Sequence, residues 1–199
     1  MRSLNRVLLT ILILLAAAVL ASFLRAKGDR HRLGGAVDLA GSLDPVRSGF
    51  NQASDRPRLL MVLAPACPVC LQGAEAVHNV LLRDHPDLQV LAVWMEALPF
   101  DITRNPARRV ETFAGEPRMT HFYDMQQVSG DALQEVLDWR DQSLPWDVFL
   151  LYPPDVTWQD SLPEPVAWFH QREEANAAHY RTGVELTRAL QDAVSYLDP

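Results

Sequence analysis

The hydrophobic pattern divides this chain into an apolar N-terminal run, an aperiodic stretch, and a long region where strand-like and helix-like spacings alternate. Val7 to Leu24 carries no charge and is almost wholly apolar, while residues 25–57 are rich in Gly, Ser, Asp and Arg with little periodicity. Arg58 to Ala64 is a continuous apolar run ended by Pro65, the signature of a strand buried on both faces. From Cys67 to Arg83 the apolar positions Cys70, Ala74, Val77 and Leu81 recur at three- and four-residue spacing, which predicts a helix laying one stripe on a sheet. Asp84-His85-Pro86-Asp87 breaks that helix, and Leu88 to Trp94 reads as a second strand. Strand, helix and strand joined this tightly predict a parallel pair with a right-handed crossover. Residues 96–117 contain Pro99, Pro106 and Pro117 and read as an insertion with a short helix from Ala107 to Phe113. Beyond it the pattern predicts a strand from Met119 to Asp124, a helix from Asp131 to Arg140, and a strand from Asp147 to Tyr152. A turn at Pro153-Pro154-Asp155, a strand from Val166 to His170 and a helix from Gly183 to Leu197 follow.

The eighteen residues from Val7 to Leu24, preceded by Arg2 and Arg6, are just long enough to span a bilayer's hydrocarbon core. The same run suits a cleaved signal peptide, with Val19-Leu20-Ala21 before Ser22 as the small-residue site. The organisation expected is therefore a signal anchor or signal peptide over 1–24, a linker over 25–55 that includes Gly34-Gly35 and Asp44-Pro45, and a globular domain over 56–199. Basic residues flank both ends of the apolar run (Arg2 and Arg6 before it; Arg25, Lys27, Arg30 and Arg32 after it), so the positive-inside count is nearly even. A hydrophilic domain behind an N-terminal signal still sets the expectation: membrane-anchored with the domain exported to the periplasm or cell surface, or secreted if the signal is cleaved.

With 48% hydrophobic and 22% charged residues the chain has ordinary globular composition. Its charge is lopsided, net +5 over the first 32 residues and net −12 over the rest. An acidic domain repels a phosphate backbone, which excludes nucleic acid as a partner. Lys27 is the sole lysine, so none is present in the domain to acidify a thiol or form a Schiff base. No Gly-x-Ser-x-Gly, phosphate loop, dinucleotide fingerprint or paired metal-ligand helix motif occurs, and no cofactor is expected.

The chemistry concentrates in two cysteines, Cys67-Pro68-Val69-Cys70, at the junction of the first domain strand and its helix. A thiol in the first helical turn faces unpaired backbone N–H groups and the positive end of the helix dipole, both of which favour thiolate, the attacking and soft-metal-binding species. Dithiol exchange is the reading favoured. A purely structural disulfide closing so short a loop would constrain the unfolded chain little. Two thiolates could instead hold a thiophilic ion such as Cu(I) or Hg(II), although no histidine falls in the motif. A binding module without turnover is the third reading. His121 and His170 sit in predicted strands and read as structural; Trp94 and Trp168 read as core, while Trp146 and Trp158 are candidates either for an aromatic rim near the thiols or for a small core over a loop.

The order of elements, with the Cys67–Cys70 motif at its strand–helix junction and Leu144-Pro145 ahead of a later strand, resembles the thioredoxin-like superfamily. It resembles in particular the membrane-tethered, exported thiol–disulfide oxidoreductases of the cytochrome-c-maturation type. The resemblance implies a three-layer α/β/α sandwich around a mixed sheet, with Met119 to Asp124 as an inserted strand. It implies Cys67 as an exposed nucleophile and Cys70 as the resolving thiol. It also implies a cis-proline at Pro145 that faces the dithiol and contacts substrate, beside which Trp146 is the second substrate-binding candidate, and protein thiols or disulfides as partners. Three features depart from that family's pattern: Ala66 replaces the familiar tryptophan, Met61 stands where a buried strand acid is expected, and Trp146-Asp147 separate Pro145 from the apolar strand. Without the strand acid, proton transfer from Cys70 would fall to Glu96 or a water.

Overall fold

The structure, a computed structural model, describes residues 35–98, 110, 112–113, 115–141 and 143–197. The apolar N-terminal run, its cleavage site and most of the short helix expected over 107–113 lie outside the described residues. Among the described residues no helix is long and apolar enough to cross a membrane.

Six strands form one mixed sheet: β1 (Val37–Asp38), β2 (Arg58–Leu63), β3 (Gln89–Met95), β4 (Met119–Asp124), β5 (Val148–Tyr152) and β6 (Ala167–His170), in the order β1-β4-β3-β2-β5-β6. β1, β4, β3 and β2 run parallel, whereas β5 and β6 are antiparallel to their neighbours. The helices are α1 (Asp44–Gln52), α2 (Pro68–Ala76), α3 (Val128–Val136) and α4 (Gly183–Ser195). α2 continues through a π-helical turn, Val77–Leu81, into a last turn, Leu82–Asp84.

Successive strand side chains point to opposite faces, and both faces of this sheet are covered. Leu59, Met61 and Leu63 of β2, Ala92 and Trp94 of β3, and Phe149 of β5 meet Cys70, Ala74, Val77 and Leu81 of the α2 segment and Leu186, Leu190 and Val194 of α4. Leu60, Val62, Leu91, Val93 and Leu150 meet Val46 and Phe50 of α1 and Leu133 of α3 on the other side, together with Trp158 and Leu162 from the β5–β6 connection. The result is the three-layer α/β/α sandwich with a mixed sheet that the thioredoxin-like resemblance implies.

Over its described part, residues 35–55, the expected linker is corrected by this packing. Val37 and Asp38 add an edge strand to β4, and α1 buries Val46 and Phe50 almost completely. Polar Ser, Asp and Asn positions dilute the sequence here, but Leu39, Leu43, Val46 and Phe50 are spaced to face the sheet. Arg58, the first residue of β2, is fully buried beneath α1. Its guanidinium stacks 4.4 Å over Phe50 and donates to the carbonyls of Val156 and Pro153.

The topology brings four chain ends to one place. β2 ends at Leu63 just before α2, so the N-terminus of α2 lies at the C-terminal edge of the parallel strands. Because β5 runs antiparallel to β2, with Val148 opposite Val62, the residues just before β5 arrive at this same edge. β6 reverses again, with His170 opposite Val148, and delivers Gln171 and Arg172 there.

Candidate functional site

Cys67 is the N-cap of α2: its backbone is extended (φ −82°, ψ 116°), Pro68 takes the first helical position, and its Sγ accepts the Cys70 backbone N–H at 3.3 Å. Both choices suit a helix start, since Pro loses no needed N–H there and the capping atom fills an orphan donor. Both cysteines are free thiols.

The two sulfurs are driven apart in acidity. The hydrogen bond from the Cys70 thiol is the main influence holding Cys67 below the usual thiol range, with backbone N–H donors adding to it. Burial pushes Cys70 well above that range, and donation to Cys67 and the nearby charge of Asp147 push the same way. The expectation of an exposed Cys67 needs correction: it is only 7% exposed, against 0% for Cys70. Both cysteines belong to the hydrophobic core between the sheet and the α2 and α4 helices. Val69, between the cysteines, is the exposed apolar residue of the motif.

The peptide bond before Pro145 is trans, contrary to the expected cis-proline; no cis bond occurs among the described residues. The turn into β5 is made two residues later instead, where Asp147 adopts a left-handed backbone (φ +60°). Aspartate tolerates this region better than most residues, because its short polar side chain can bond locally. Pro145 is buried and Trp146 half-buried, with the Arg172 guanidinium 4.6 Å over the indole. Arg172 also pairs with Asp141, whose carboxyl is lowered to about 2, chiefly by hydrogen bonding from Ser143. Trp158 is not at the thiols; it lies edge-on to Phe50 in the opposite layer.

Asp147 is the site residue that sequence reasoning missed. Its carboxyl oxygen and the two sulfurs lie within 4.8 Å of one another, and the residue is 2% exposed. Its backbone N–H donates to Val62 at 2.8 Å, and its own carbonyl accepts from the Gln171 backbone at 3.3 Å. The Gln171 side-chain amide donates both to Asp147 Oδ1 at 3.0 Å and to the Val69 carbonyl at 3.1 Å, joining the carboxylate to the Cys-Pro-Val-Cys turn. Burial raises the Asp147 carboxyl to about 6, partly offset by hydrogen bonds from Gln171 and Cys70 and by the Arg172 charge. Glu96, expected as the proton acceptor, is instead bonded by the Tyr123 hydroxyl. Met61 faces the same layer as the thiols and supplies no acid.

Neither histidine singled out joins the thiols. His170 is bonded through one ring nitrogen to the Asn176 carbonyl at 2.8 Å and through the other by the Arg172 backbone N–H at 3.2 Å. Trp94 Nε1 donates to His121 Nδ1 at 3.2 Å, and burial lowers His121 to about 4. The thiophilic-ion alternative gains no ligand from either of these histidines.

Fold and site together define a three-layer α/β/α domain with a free dithiol at the N-terminus of the helix that follows the central strand. Solved structures similar to this chain include a secreted Mycobacterium tuberculosis disulfide oxidoreductase homologous to E. coli DsbE, with 16% identity, a TM-score of 0.46, and 73% of this chain and 85% of that one covered. A thioredoxin-like protein in its oxidized form is similar at 15% identity and a TM-score of 0.42, over 72% of this chain and 78% of the other. Apo Sco1 from Thermus thermophilus is similar at 17% identity and a TM-score of 0.36, over 75% and 83%. No protein-family model and no curated protein matches the chain.

Proposed function

We propose that the protein is a thiol–disulfide oxidoreductase acting on protein thiols or disulfides, with Cys67 as nucleophile and Cys70 as resolving thiol. The observation that carries this reading is a pair of free thiols in the first turn of a helix, with the Cys67 sulfur capping it by accepting the Cys70 backbone N–H at 3.3 Å and Cys70 fully buried. A low-pKa thiol attacks and a protonated neighbour waits to resolve, which is the division of labour that dithiol exchange requires. The Cys67 thiolate attacks a partner disulfide and expels one partner thiolate, leaving a mixed disulfide. Cys70, once deprotonated, attacks Cys67 Sγ and releases the second partner thiolate, so that the partner is reduced and the Cys67–Cys70 disulfide formed. The reverse sequence oxidises a partner dithiol. The exposed Val69 between the cysteines, together with Pro145 and Trp146 just ahead of Asp147, is the rim on which the partner backbone would rest. The apolar run Val7 to Leu24 supports tethering of an exported domain at a membrane.

The test is trapping. Full-length chain carrying Cys70→Ser, mixed with a disulfide-bonded protein, should accumulate a mixed disulfide through Cys67, and the unmodified chain should equilibrate with glutathione redox buffers, which also reads its direction. A pair that stays reduced across those buffers and traps no partner would sink the proposal.

A further inference from the structure

We propose that Asp147 is the proton acceptor for Cys70 during resolution and that Gln171 is the positioning residue that holds the Asp147 carboxylate; the inference rests on the dithiol-exchange reading above. Among the described residues, Asp147 supplies the one carboxylate oxygen clustered within 4.8 Å of both sulfurs. It reaches them from the start of β5, across the sheet from the β2 position occupied by Met61.

The geometry is held by three hydrogen bonds from two segments. β2 fixes the Asp147 backbone through Val62, the residue after β6 fixes it through Gln171, and the Gln171 amide then clamps the carboxylate itself. A buried aspartate in a left-handed conformation persists only where its surroundings over-determine it, and such sites cluster at functional centres. The groups with charge or titratable protons that face Asp147 are Cys67 and Cys70 from α2 and Arg172 from the segment after β6; Arg172 is itself paired with Asp141.

The proton path follows from the bonding. In the resting dithiol the Cys70 S–H is drawn to the Cys67 sulfur and to the Asp147 carboxylate. Once Cys67 is in a mixed disulfide it carries no charge, and the carboxylate becomes the one anionic acceptor in the cluster. Asp147 takes the Cys70 proton, the Cys70 thiolate forms the S–S bond to Cys67, and the bond from Cys67 to the partner sulfur breaks. The departing partner thiolate leaves with its electron pair and is protonated by water, or by the acid Asp147 has become, which returns the carboxylate to its starting state.

The test separates the two chemical steps in full-length protein. Attack is read as mixed-disulfide formation with a disulfide-bonded protein in the Cys70→Ser background, with and without Asp147→Asn. Resolution is read by stopped-flow release of the partner thiol from chain with both cysteines intact. Asp147→Asn should leave attack within a few-fold of its normal rate and slow resolution at pH 7 by about 10²-fold, the lower end of what a positioned base contributes. The resolution rate should rise with pH through a midpoint near 6, the value of the buried carboxyl, and that midpoint should vanish in Asp147→Asn. Gln171→Met removes the amide from Oδ1 and should move the midpoint up by about one pH unit while leaving the high-pH plateau in place, which a merely structural loss would not do. Resolution in Asp147→Asn at the normal rate, with the same midpoint, overturns the relay and leaves the dithiol reading standing. Failure of the unmodified chain to form any mixed disulfide overturns both.

Discussion

Replacing Asp147 with Asn should make the reduced protein more stable, by an amount that grows from about pH 4 to pH 6 and is constant above it. The native carboxyl titrates at about 6 because it is buried, against 3.8 for the ordinary group. The folded chain therefore binds more protons than the unfolded chain between those two values, and stability falls as pH rises through this window and is flat above it with respect to this group. A difference of about two units at 1.36 kcal/mol each gives a penalty of about 3 kcal/mol at pH 8, shrinking to under ~1 kcal/mol near pH 4. Asparagine has the same shape and keeps Oδ1 as acceptor for Gln171, but it cannot carry the charge. The measurement is urea unfolding of both proteins under reducing conditions from pH 4 to pH 8, with the slopes checked for equality. The titrations of Cys67 and Cys70 occur in both proteins and cancel to first order in the difference. A gain of about 3 kcal/mol corresponds to a melting shift of roughly 5–10 °C for a domain this size. A stability difference that stays constant from pH 4 to pH 8 would refute the argument, because it would mean that the Asp147 carboxyl is not held against ionisation by its burial.

Two further outcomes follow from the packing around the same helix. In native reduced protein at pH 7, iodoacetamide should modify Cys67 and spare Cys70, which should react only after denaturation; equal labelling of both by peptide mass analysis would contradict the opposed acidities and burial described above. Gly73→Ala should destabilise by about 1–3 kcal/mol despite the ~1 kcal/mol that alanine gains in a helix, because its Cβ would meet the Phe149 ring at 2.6 Å and the Gln171 amide at 3.0 Å. Unchanged or increased stability on urea unfolding would show that the ring and amide have room to move.

Most of the fold was legible because its signals are local. The apolar runs of β2, β3 and β5 are buried along nearly their whole lengths, and such strands announce themselves by composition alone. The α2 stripe of Cys70, Ala74, Val77 and Leu81 packs as its spacing predicts. What failed to show was weaker locally and decided by distant partners. α1 has a polar sequence and becomes a core helix only because Phe50 stacks beneath Arg58 and beside Tyr152 and Trp158. Arg58 is the one charge in the run read as β2, and it is buried with its two terminal guanidinium nitrogens donating to carbonyls of the β5–β6 connection.

The site divides along the same line. Cys67 and Cys70 were legible as a pair because a dithiol within one helical turn is a contiguous motif, and its place at a strand–helix junction is set by adjacent sequence. Asp147 is 77 residues beyond Cys70, and what places it beside the sulfurs is the reversal of β5 against β2, a non-local fact. The two positions nonetheless belong to one structural neighbourhood. Met61 lies on β2, paired with Phe149 of β5, and Asp147 stands two residues before Phe149 on the same face of that strand's alternation. A carboxylate that β2 does not carry can therefore be supplied from the entry to β5 without moving the helix that carries the thiols, provided the backbone turns there to aim it inward. The left-handed conformation of Asp147 makes that turn, and the loop so delivers an acid to the dithiol from the start of β5.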